Sequence, residues 1–141
     1  MALDMAKYRA LFLEEASEHL AEISRALIEL EKDAASAESI DLVFRMAHSI
    51  KSMAGSVGYD AISELAHALE DRMEQIRSAG RVEGPDGLGM LFRGIEGLEG
   101  MVAAVRNGDE APVRDADLVT ALAREPALEP RGDSDPKKGS T

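Results

Sequence analysis

Four residues have the types and spacing to do chemistry together: His48, Lys51, His67 and Glu70. His48 lies in the run Ala47-His48-Ser49-Ile50-Lys51-Ser52-Met53-Ala54-Gly55-Ser56-Val57-Gly58. Helical positions three, four and seven apart share a face, so Lys51, Ser52 and Gly55 surround the imidazole, and all but Lys51 are small. An imidazole ringed by small groups is open to approach by another protein. Histidine attacks through an unprotonated ring nitrogen. A carboxylate that accepts the Nδ1 proton leaves Nε2 free, and it offsets the positive charge the ring acquires on attack. Glu70, in the next predicted helix, suits that role, while Lys51, one turn from His48, can attract incoming phosphoryl oxygens. Positioning and charge compensation are most of what phosphoryl transfer asks of a protein.

These residues need a scaffold, and the apolar pattern predicts one. From Asp4 to about Asp33, Tyr8, Phe12, Ala16, Ile23, Leu27 and Leu30 recur at helical spacing, with Leu13 and Leu20 on the flank of the stripe. Ser36 and Ser39 are N-cap candidates for a second helix to about Gly55, whose buried arc of Ile40, Val43, Ala47, Ile50 and Ala54 leaves His48 facing solvent. Val57 and Tyr59 in the following turn can plug the bundle end, and Asp60 can cap a third helix over about Ala61 to Ser78. That helix buries Ile62, Leu65, Ala66, Leu69, Met73 and Ile76, with His67, Glu70, Asp71 and Glu74 on its opposite side. Gly80 ends it. Helices joined by a short turn are antiparallel neighbours, so His48 and Glu70 can meet along a shared edge.

After a Gly84-Pro85-Asp86 turn, a fourth segment to about Arg106 carries Leu88, Leu91, Phe92, Ile95, Leu98, Val102 and Val105. Its interior glycines each cost about 1 kcal/mol relative to alanine, so it depends on docking for stability. Asp115 to about Arg124 forms a short fifth helix. The expected fold is all-α: an antiparallel up-down four-helix bundle over residues 1–125, with that fifth helix, and a linker or disordered tail over 126–141.

Composition removes several function classes. Hydrophobic residues make up 45% of the 141 and aromatics only 4%, so the core is built from aliphatic side chains that favour helices. A net charge of −11 opposes binding to nucleic acid or anionic lipid. No cysteine is present, which leaves no disulfide framework and no thiolate site. No run approaches the roughly 18 apolar residues of a membrane span, so no membrane insertion and a cytoplasmic location are expected. There is no Gly-x-x-x-x-Gly-Lys-Ser/Thr loop for nucleotide phosphates and no Gly-x-Ser-x-Gly elbow.

Ala-His-Ser-Ile-Lys-Ser-Met-Ala-Gly-Ser-Val-Gly-Tyr, followed by Glu-Leu-Ala-His-Ala-Leu-Glu-Asp, closely resembles the phosphoacceptor domain of chemotaxis histidine kinases of the CheA family. The resemblance implies a histidine phosphotransfer (HPt, P1) domain with His48 as phosphoacceptor and Lys51 as the lysine of the H-x-x-K-G context. It also implies that His67 and Glu70, in an H-x-x-E arrangement on the third helix, hydrogen-bond the acceptor. Chemotaxis signalling is implied with it: a phosphoryl group from a kinase catalytic domain acting in trans, passed to an aspartate on a CheY-like or CheB-like response regulator receiver domain. ATP is then used by the kinase domain, and this chain, expected to be a monomeric domain, binds no cofactor. The regulator is expected over the first and second helices, on Leu13, Phe44, Arg45, Ser49, Ser52 and Gly55. One departure stands out, since the family usually has glycine after the lysine and this chain has Ser52-Met53; a hydroxyl there is expected to tune the rate modestly.

Other readings compete. Glu64-x-x-His67 is half of the helical di-iron pattern, but the second such motif is missing, so no metal is expected. His19, among Glu15, Glu18 and Glu22, reads as a histidine on a solvated face. Arg131-Gly132-Asp133 reads as a chance adhesion tripeptide. An acidic helical adaptor without chemistry, or a stand-alone phosphotransfer protein outside chemotaxis, are the alternatives to a kinase segment.

Overall fold

The aliphatic stripes fold as helices. The computed structural model describes residues 5–108 and 112–123 and contains α1 (Met5–Lys32), α2 (Ala37–Ser56), α3 (Asp60–Ala79), α4 (Gly84–Arg106) and α5 (Ala116–Ala123). No strand occurs among the described residues. The helices α1 to α4 run up-down-up-down. Antiparallel order follows from the pairs that meet: Asp41 with Arg77 and His48 with Glu70 across α2 and α3, and Leu13 with Arg106 across α1 and α4. Ile23, Leu27, Ile50, Ile62, Leu65, Leu69, Leu91 and Leu98 fill the core and are essentially inaccessible to water. Leu20 is buried and Leu13 packs partly buried against the same core.

Local chemistry sets most boundaries. Ser36 caps α2, its hydroxyl accepting from the Ser39 amide. Gly80 ends α3 at φ +86°, a left-handed conformation that glycine adopts without steric penalty. The two ends of the bundle are closed differently. At one, Val57 and Tyr59 are buried, with Phe12 packed on Tyr59 at 5.6 Å and Arg9 over the same ring while donating to the Val57 carbonyl. At the other, the Val82 amide donates to the Ala34 carbonyl.

Two local expectations need correction. Asp60 is the first residue of α3, preceded by Tyr59 at the N-cap with no side-chain cap bond, so its carboxylate contributes as a charge in the first turn. Gly84-Pro85-Asp86 is the first turn of α4: Gly84 enters at φ +66°, and Pro85 fits a position whose amide would have no helical partner. The second helix ends at Ser56, in line with the expected end at about Gly55. Asp4, Arg124, the expected boundary at 125/126, the 126–141 tail and Arg131-Gly132-Asp133 lie outside the described residues.

Gly94 and Gly97 of α4 are a packing device. A Cβ at Gly97 would lie 2.7 Å from a Leu118 methyl and 3.0 Å from a Leu65 methyl, and one at Gly94 would lie 3.3 Å from Leu122. Bare backbone therefore lets α5 settle into the groove between α3 and α4. Asp115 caps α5 by accepting from the Leu118 amide, and Arg72, buried on α3, donates to the Ala121 and Leu122 carbonyls at its other end.

Candidate functional site

The edge where α2 meets α3 carries the site. On α2 the core arc of Val43, Ala47, Ile50 and Ala54 turns His48 outward, and its side chain is 56% exposed. On α3, Glu70 sits at the margin of the buried stripe and points across to α2. One carboxylate oxygen is 2.6 Å from His48 Nδ1 and the other 2.7 Å from Lys51 Nζ. Glu70 is thus divided between an imidazole and an ammonium.

Protonation states follow from this geometry. Burial works to raise the Glu70 pKa, but the hydrogen bonds and charges of Lys51 and His48 together outweigh it and hold the carboxyl below its ordinary value. An ionised carboxylate has no proton to donate. The proton in the His48–Glu70 bond therefore belongs to Nδ1, and a neutral His48 presents a bare Nε2 to solvent. The arrangement supplies an accessible nitrogen nucleophile, a fixed tautomer and a negative charge behind the ring.

Several expectations change at this point. Glu70 was expected on the solvent side of its helix, but its side chain is only 11% exposed. Lys51, expected to reach for phosphoryl oxygens, is engaged with Glu70. No hydrogen bond joins His67 to His48: its Nε2 lies 3.6 Å from Asp71 on its own helix, and the side chain is 58% exposed. At about 100° per residue, His67 is rotated about 60° from Glu70, away from the stripe of Ile62, Leu69 and Met73, and of the two it is the glutamate that bonds to α2. Glu64, the other half of the iron-like pattern, is gripped by the Arg114 guanidinium through both carboxylate oxygens. Among the described residues, no group of three or more His, Asp or Glu side chains could hold a metal ion.

The surface around His48 is also rearranged. Arg45, Ser52 and Gly55 are exposed and Ser49 half-buried, so these four share the face as expected. Phe44 lies toward α3, its ring beneath the Arg77 guanidinium at 4.1 Å. Leu13 lies on the α4 side of α1, where its carbonyl accepts from Arg106 and its side chain lines a groove with that residue and Leu11. Leu11, about 200° around the helix from Leu13, also borders α2. With Tyr8, Phe12, Met53 and Val57 it lines an open apolar groove of about 410 Å³ between α1 and α2. Tyr8, expected in the buried stripe of α1, is 47% exposed at its margin, and Leu11, outside that stripe, is 49% exposed; large apolar side chains left open in this way mark the groove.

His19 is no solvated histidine. Its side chain is 18% exposed, and Nδ1 is buried without a hydrogen-bond partner, while Nε2 is 3.9 Å from Glu15. At about 100° per residue it lies about 20° from Phe12 on α1, which explains its burial.

Comparison with known proteins agrees with the geometry. The model of the Hpt domain family matches residues 7–108. The chain is 31% identical over 137 residues to the chemotaxis protein CheA of Halobacterium salinarum, covering 97% of this chain and 20% of that protein. With CheA of Bacillus subtilis it shares 34% over 119 residues, 84% of this chain and 18% of the relative. The chain therefore spans about a fifth of the length of the curated relatives it matches. Among solved structures, the CheA phosphotransferase domain from Thermotoga maritima is 30% identical with a TM-score of 0.67, covering 74% of this chain and 99% of that one. A solved histidine phosphotransfer domain of CheA is 29% identical with a TM-score of 0.71, covering 82% and 89%. No helix among the described residues is long and apolar enough to cross a membrane.

Proposed function

The chain belongs to the Hpt domain family, among the phosphotransferase domains of CheA, and on that premise we propose that it relays a phosphoryl group in chemotaxis signalling through His48. A kinase catalytic domain acting in trans holds ATP, and this chain binds no cofactor of its own. Nε2 of His48 attacks the γ-phosphorus; the N–P bond forms, the bond to the bridging oxygen breaks, and ADP leaves. The Nδ1 proton stays on the ring, held by Glu70, whose charge offsets the positive imidazole. A carboxylate oxygen of an aspartate on a CheY-like or CheB-like receiver domain then attacks the same phosphorus, and Nε2 is released unprotonated.

The observation that carries this reading is the buried, ionised Glu70 at 2.6 Å from Nδ1 of an imidazole whose other face is open. Lys51 serves it indirectly, by keeping Glu70 charged. Arg45, Ser49, Ser52 and Gly55 form the contact face for both partners, extended by the groove that contains Tyr8, Leu11 and Met53. Incubation with a CheA-type kinase domain and labelled ATP tests the proposal: the wild-type chain acquires label and His48→Gln does not. Equal labelling of the two would leave an acidic adaptor without chemistry as the better account.

A further inference from the structure

Glu70 can serve His48 only if α3 is held in register on α2, and the α2–α3 edge shows what holds it. Ser63 precedes Glu70 by seven residues and Arg77 follows it by seven, so all three lie on one line of α3 facing α2. Each touches α2. The Ser63 hydroxyl donates to the Lys51 carbonyl at 3.0 Å, Glu70 binds His48 and Lys51, and Arg77 bonds to Asp41 while lying over Phe44. The outer contacts differ in weight. Arg77 and Asp41 are exposed and form the kind of surface pair that contributes little. The Ser63 bond is partly buried, at the point where α3 passes Gly55; a Cβ added there would lie 3.5 Å from the hydroxyl oxygen.

We infer that Ser63 is a positioning residue for the phosphoacceptor: by fastening the backbone of Lys51, it sets α3 so that Glu70, two turns on, reaches both the Lys51 ammonium and His48 Nδ1. Lys51 is thus held by α3 at both ends, its carbonyl by Ser63 and its ammonium by Glu70. The catalytic consequence rests on the relay proposed above; the effect on the imidazole does not. Loss of the hydroxyl leaves the Lys51 carbonyl inside α2, where the helical ladder still satisfies it, so the fold survives. The 2.6 Å bond is less tolerant, because a slide of about 0.7–1 Å along its axis carries it past the range of a well-made hydrogen bond.

The test uses the whole chain labelled with ¹⁵N-histidine, with Ser63→Ala and Ser63→Thr. In the wild type, the His48 ring nitrogens should report a protonated Nδ1 and a bare Nε2 at a pH where the ring is neutral. Ser63→Ala should move both shifts toward a tautomer mixture and slow phosphorylation by roughly three- to tenfold, as sub-ångström misplacement does, with little change in the unfolding midpoint. Ser63→Thr, which keeps the hydroxyl, should stay near wild type. Unchanged ring shifts in Ser63→Ala would overturn the inference, as would equal shifts in both variants accompanied by a lowered midpoint, which would assign the effect to packing. If the wild-type chain is not phosphorylated while Ser63→Ala still moves the ring shifts, the relay reading fails and the positioning role stands.

Discussion

Removing Glu70 should separate catalysis from folding. Its carboxylate makes two charge-assisted contacts, 2.6 Å to His48 and 2.7 Å to Lys51, from a side chain 11% exposed. A hydrogen bond to a charged group is worth about 1.5–3 kcal/mol. In Glu70→Ala, however, both partners can return to water, since the His48 side chain is 56% exposed and that of Lys51 27%. The variant also escapes the penalty of burying a charge, so the net loss of stability should be within about 2 kcal/mol. Phosphorylation has no such compensation. The imidazole loses its tautomer constraint and the negative charge behind the developing cation, and if the Nδ1 bond supplies its full worth in the transition state, the rate falls about 10- to 100-fold at 1.36 kcal/mol per decade. Initial rates of label incorporation from ATP by a CheA-type kinase domain measure this, with circular dichroism reporting the fold. Glu64→Ala, which removes another carboxylate on α3, should keep the wild-type rate. Wild-type kinetics in Glu70→Ala, or equal losses in both variants, would refute the coupling of this carboxylate to the ring.

The remaining predictions concern stability. Because the folded-state pKa of Glu70 is lowered, its contribution is fully present above the ordinary carboxylate value of about 4.3 and disappears as pH falls through the folded value; urea unfolding should show wild type and Glu70→Gln converging across that acidic window, and a constant gap would contradict the linkage. Gly97→Ala gains about 1 kcal/mol of helix propensity but meets the Leu65 and Leu118 methyls, and overpacking costs about 1–3 kcal/mol, so it should lower the melting temperature. Gly100→Ala, with nothing within 4 Å of the added methyl, should raise it; a rise in both would show that α5 yields freely. His19→Leu removes a buried nitrogen that has no partner and should stabilise the chain by about 1 kcal/mol in urea unfolding, whereas a loss of that size would reveal a partner for Nδ1.

Much of the bundle was legible because burial dominates it. The apolar stripes of α1 to α4, the Ser36 cap and the Gly80 stop each follow from a local rule, and those rules agree with the packed structure. His48 was legible as well, since it lies opposite a wide aliphatic arc. What periodicity does not supply is the flank. It locates the centre of a buried arc but not which neighbouring helix covers each margin. Glu70 therefore read as a solvent-side residue although α2 covers it, His67 was grouped with it from three residues away, and Leu13 was placed beside α2 although it faces α4. Burial itself also eluded the local rules at His19 and Arg72, where polar residues enter the core margin because a neighbouring helix closes over them. Ser63 carried a faint sign in its seven-residue spacing before Glu70, which gains meaning only once the Lys51 carbonyl is seen opposite.

The account turns on which nitrogen of His48 is free. Phosphorylation of ¹⁵N-histidine-labelled chain by a CheA-type kinase domain, followed by ³¹P–¹⁵N correlation spectroscopy, identifies the bonded atom directly. Glu70 at Nδ1 predicts a single phosphoryl group on Nε2 of His48; phosphate on Nδ1, on His19 or on His67 would contradict the account.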